Sequence, residues 1–111
     1  MGTLAESVNV VELATELIAD LPNHGAGRAA KSVLHGDLLR AVVMVLAAGR
    51  EMSDHEAPGP SMIQVLAGEV EFIAGEETSV LSAGDMLPIP AVVHSVRARS
   101  DAAFMLTICL T

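Results

Sequence analysis

The chain has no tryptophan and no tyrosine, and two phenylalanines are its whole aromatic content, 2%. Proteins that hold single-stranded nucleic acid commonly stack the bases on aromatic rings, and that platform is missing. Basic residues are also scarce: six lysines and arginines stand against 14 aspartates and glutamates, a formal charge of -8. A surface of that sign repels phosphate backbones, so no nucleic-acid partner is expected. Cys109 is the only cysteine, so no disulfide can form within the chain. The opening Met-Gly-Thr-Leu-Ala-Glu lacks the basic region and long apolar core of a secretory signal. The cytoplasm is the expected location. Long apolar runs are missing too, since the longest, Ala41 to Gly49, is about half of the ~20 residues a spanning helix requires. No membrane partner is expected.

What the chain does have is a large apolar fraction, 51% of 111 residues. One domain of this length buries roughly 60 to 65% of its unfolded surface. With no membrane segment, the excess points to burial on both faces of a sheet or to a subunit interface. Asn9 followed by Glu12 is a helix-start signature, and Val10, Leu13, Ala14, Leu17, Ile18 and Leu21 recur behind it at helical spacing. Pro22 and Gly25 close that segment. The helix is too short to stand alone, so it is expected to lie against the main body or a partner subunit.

From Arg28 onward the periodicity changes to that of strands. Ala29 to Leu34 and Leu38 to Ala47 flank a His35-Gly36-Asp37 turn and read as a hairpin. Met62 to Ala67 and Glu69 to Ala74 read as a second hairpin about Gly68, and further strands are expected near Ser79 to Leu81, Met86 to Ile89, Val92 to Arg99 and Ala103 to Leu110. Short strands between glycine turns predict an all-β sandwich or closed barrel. Residues 1–28 would form an N-terminal helix and linker, and residues 29–111 the barrel.

Two stretches carry the candidate chemistry. Gly49, His55 and Gly68, with the Pro58-Gly59-Pro60 bend between them, resemble the first motif of the cupins, which runs from a glycine through a His-x-His pair and a glutamate to a second glycine. Gly84, Asp85, Pro90 and His94 are similar to the second cupin motif, a Gly-Asp turn, a strand, a proline and a histidine. The resemblance implies a double-stranded β-helix jelly-roll barrel with the N-terminal helix outside it. It also implies a homodimer, because small cupins usually pair. In that family the motif histidines and glutamate point inward and hold a divalent iron, manganese, zinc or nickel ion. Here Ala57 stands at the second histidine and Ser61 at the glutamate, and neither replaces an imidazole or a carboxylate as a ligand. His55 and His94 remain, fewer than the three protein ligands common at catalytic metals. Gln64 is a further oxygen donor, of the wrong strand parity relative to Ser61 unless a bulge intervenes.

Two functions follow from different classes. In the first, a small molecule occupies the barrel cavity, with Ile63 and Val65 in the lining and His55 and His94 as polar handles. In the second, His55, His94, water and a further group, Gln64 for instance, hold a metal ion for dioxygenase or isomerase chemistry. A barrel that serves only as an assembly surface is the third alternative. Other conspicuous residues have plainer readings. His24 and His35 are surface histidines, Cys109 is a buried inert thiol, Arg40 and Arg97 face solvent, and Asp85 shapes its turn.

Overall fold

The computed structural model describes residues 4–110; positions 1–3 and 111 of the two regions anticipated above lie outside them. One helix, α1 (Val10–Asp20), is followed by a 3-10 turn at Leu21–Asn23 and by the strands β1 (Arg28–His35), β2 (Leu39–Leu46), β3 (Glu51–His55), β4 (Ser61–Ala67), β5 (Glu69–Ala74), β6 (Glu77–Ser82), β7 (Met86–Ile89), β8 (His94–Ala98) and β9 (Ala102–Cys109). The Asn9 side chain accepts from the amides of Val11 and Glu12 at 3.1 and 3.0 Å, so the helix begins where two of its orphan donors are satisfied.

The strands form a five-stranded sheet in the order β1-β2-β9-β4-β7 and a four-stranded sheet in the order β3-β8-β5-β6. All the strand pairings are antiparallel, as a jelly roll requires. Alternation along each strand then sorts side chains to two sides. Leu46, Ile63, Val65, Phe104 and Leu106 of the larger sheet meet Val70, Phe72, Leu81, Val96 and Ala98 of the smaller one in the main core. The opposite face of the larger sheet is apolar as well: Ala14, Leu17, Ile18 and Leu21 cover Val45, Ala103 and Leu66 there. The helix therefore lies on its own sheet, and the large apolar fraction reflects a sheet buried on both sides.

The β1–β2 hairpin forms as the turn residues indicate. The hairpin expected about Gly68 does not. β4 pairs with β7 and β9, whereas β5 pairs with β6 and β8, so Gly68 is an arch that carries the chain from one sheet to the other. Its φ of 72° suits only glycine, and a Cβ there would run into the backbone carbonyl of Asp101. Asp85 does shape its turn: its Oδ2 accepts from the Ser82 amide at 2.8 Å, and the Asp85 amide donates to the Ser82 carbonyl at 2.9 Å.

Candidate functional site: a pair of opposed histidines

His55 ends β3 and His94 begins β8, and the two are paired directly across the smaller sheet. That pairing depends on a bulge. Between Met52 and His55 the strand carries one residue more than β8 does between Val96 and His94, and the register shifts there. Unbroken pairing would set position 54 opposite His94. The extra residue sets His55 there instead, although β3 is an edge strand that ends at once in the proline bend.

The rings lie close, with centroids 4.4 Å apart and planes at 64°. On its other side His94 stacks on Phe72, at 5.1 Å and 23°. His94 is 2% exposed, while His55 is half-buried. Each ring is tied to its own strand in the same way: His55 Nδ1 lies 2.9 Å from the Ser53 carbonyl, and His94 Nδ1 lies 2.9 Å from the Val92 carbonyl. A carbonyl can only accept, so each Nδ1 carries a proton. In the neutral ring this leaves the lone pair on Nε2. Among the described residues no side-chain nitrogen or oxygen is sealed away without a hydrogen-bond partner. Since His94 bonds through Nδ1 alone, its Nε2 edge retains an opening. Each neutral ring of the pair thus offers one acceptor, suited to a hydrogen-bond donor or a cation.

The other anticipated site residues stand elsewhere. Ile63 and Val65 are 0% exposed and belong to the main core, so they support the site from behind and line no open space. Gln64, between them, points to the other side of β4, the side on which Leu66 packs under the helix. No bulge interrupts β4 before Val65, so parity holds and Gln64 is turned away from the histidines. Ser61 Oγ donates to the Gly59 carbonyl at 2.9 Å, which stiffens the bend. Ala57 and Pro58 through Pro60 face Ile89, Pro90 and Ala91 across a cavity of about 350 Å³, formed by the segments just beyond β3 and β7. His24 sits at the far end of α1, where its Nε2 lies 3.0 Å from Asp20 Oδ2.

A resident metal fits this set poorly. Among the described residues no three of His, Cys, Asp and Glu gather closely enough to hold an ion, and two imidazoles fall short of the usual three protein ligands. The bulge and the Phe72 stack are the features that sequence reasoning missed. A lone edge-strand histidine carries no mark of a bulge, and Phe72 reads simply as a core residue.

Comparison with known proteins agrees with the architecture. Residues 42–110 match the cupin domain family. No protein of curated function matches the chain. Among solved structures, KdgF from Halomonas sp. superposes with a TM-score of 0.69 at 25% identity, covering 77% of this chain and 82% of that one. A conserved protein of unknown function from Streptococcus pyogenes superposes at 0.72 with 22% identity, covering 79% and 78%. Salicylate 1,2-dioxygenase from Pseudaminobacter salicylatoxidans also superposes at 0.72, with 23% identity, but 87% of this chain spans only 33% of that enzyme. With the family match covering the strands that carry both histidines, the chain belongs to the cupin superfamily.

Proposed function

We propose that this chain is a small-molecule-binding cupin whose ligand donates a hydrogen bond to the His55–His94 pair. The observation that carries the reading is the tethering of both Nδ1 atoms to backbone carbonyls, which leaves each neutral ring one Nε2 acceptor and no donor. A cavity of about 350 Å³ formed by the segments that follow β3 and β7 is walled by Ala57, three residues of the proline bend, Ile89, Pro90 and Ala91 rather than by the histidines themselves; with the ligand's donor at His55 and its body in that cavity, the body is apolar and compact. His55 makes first contact, being the more exposed ring, and His94 is reached through its remaining opening. A phenol has the required character, an apolar body with one good donor.

The test is a titration of the protein with phenol, followed by the histidine ring nitrogens in NMR. Saturable shifts at Nε2 of His55 that vanish in His55→Ala support the reading. The absence of any histidine response at millimolar phenol counts against it.

A second reading has its own support. The two imidazole lone pairs supply two of the three protein ligands usual for a divalent ion such as iron, manganese, nickel or zinc, and one relative in fold is a dioxygenase. Elemental analysis of untagged protein separates the two. Near one ion per chain, lost in both His55→Ala and His94→Ala, favours the metal enzyme, and trace metal after incubation with all four ions favours the binding module.

We infer as well that two copies pair through the outer face of the larger sheet. Leu34, Leu39 and Met86 are 43%, 46% and 51% exposed there. By strand register the charged residue on that face is Lys31, with no carboxylate among its strand positions. In a chain of charge -8 that is a face on which two copies approach without mutual repulsion.

A further inference from the structure

We propose that the seam between β6 and β7 is a second binding site, built for a small amphipathic cation: an apolar body carrying one amine. β6 is the outer strand of the four-stranded sheet and β7 the outer strand of the five-stranded one, so the two sheets part here. Two cavities, of about 370 and 510 Å³, lie along the opening and share Ala74, Glu77 and Pro90. Each is of the size that encloses a small ligand. Their walls are chiefly apolar, with Phe72 and Leu87 in the first and Val92 and Val93 in the second.

Among the described residues Glu77 is the only ionisable side chain in either wall. It opens β6 opposite Ala74, at the junction of the two cavities, and it makes no ion pair within the described residues. An unpaired carboxylate in an apolar groove selects for a cation over a neutral or anionic analogue. The field of the whole chain, at -8, acts in the same direction. The hydroxyl of Ser79, which by strand alternation lies on the same side of β6 as Glu77 and opposite Phe72, supplies a further acceptor for the ammonium protons.

The seam borders the cavity of the proposed phenol site at Pro90 and differs from it in its lining, which includes Glu77 and neither His55 nor His94. The two are joined by Phe72, which lies in the seam wall and stacks on His94. A seam ligand is therefore felt at the His94 ring without touching it.

The experiment is a backbone-amide NMR titration of the full chain with benzylamine, with its neutral counterpart benzyl alcohol and with benzoate. Benzylamine should shift Glu77, Thr78, Val92 and Val93 saturably and bind about twofold to fivefold tighter than benzyl alcohol, the factor an exposed ion pair supplies. Benzoate should leave these residues unmoved. In Glu77→Gln the preference for the amine should disappear while binding of benzyl alcohol persists, showing the groove intact. His55→Ala should retain both. The proposal is overturned if benzylamine does not bind, if it binds no better than benzyl alcohol, if Glu77→Gln keeps the preference, or if His55→Ala abolishes it.

Discussion

His55 and His94 differ in how deeply they are held, and the difference governs what each substitution does. His94 is packed between His55 and the Phe72 ring and is almost wholly enclosed. His94→Ala leaves a void beside Phe72 and is expected to destabilise the protein by about 2 to 4 kcal/mol. His55, on an edge strand and half-buried, is expected to cost about 1 kcal/mol or less as alanine, while removing the response to phenol. Urea unfolding of the two variants checks the order, and an equal loss in both would contradict it. A smaller effect belongs to Asp20. Its carboxyl is held below the usual carboxylate range, first by the Asn23 side-chain amide at 2.7 Å and then by His24. A lowered folded value gives stability that is present above the ordinary carboxylate pKa of about 3.9 and is lost as the pH falls through the folded value. Asp20 is exposed, so the effect is slight. Asp20→Asn should flatten the acid side of the melting-temperature profile by slightly lowering its value near neutrality while leaving it unchanged below the folded pKa of Asp20.

At the level of elements, the arch at Gly68 matters more than any single strand. It carries the chain from one sheet to the other, in a left-handed conformation and against the Asp101 backbone. Gly68→Ala combines an unfavourable φ with a collision against atoms that belong to the β8–β9 turn, and a loss of at least about 2 kcal/mol in chemical denaturation is expected. A loss below about 0.5 kcal/mol would show that the arch can relax. The same position illustrates what could be read in advance. Gly68 was identifiable as a turn, and the strands on either side of it were identifiable from their alternation, but a hairpin and an arch use the same local signals. Only long-range pairing, of β4 with β9 and of β5 with β8, distinguishes them. The helix start at Asn9 and the positions of both histidines were legible because capping and motif spacing are local. The β3 bulge was not, since one extra residue in an edge strand leaves composition and periodicity almost unchanged. Ile63 and Val65, expected in the cavity lining, lie in the solid core, and the open spaces lie at the bend and along the sheet edges instead.

On the scale of the whole molecule, acceptors without donors are the common theme. The histidine pair, Glu77 in the seam and a net charge of -8 all favour ligands that donate protons or carry positive charge. The part of the larger sheet's outer face that α1 leaves uncovered has no carboxylate among its strand positions and is the exception, and pairing of two copies there is expected to give a dimer by light scattering. Leu39→Glu should return the protein to a monomer of 11.5 kDa, and a dimer that persists would place the contact elsewhere. The central claim is that His55 and His94 both present bare Nε2 atoms, and long-range proton–nitrogen NMR of the histidine side chains in the ligand-free protein at neutral pH tests it most directly. In the neutral form of both rings the proton is expected on Nδ1. A proton on Nε2 of either ring would mean that the carbonyl tethers do not hold and that the pair is no site for a hydrogen-bond donor.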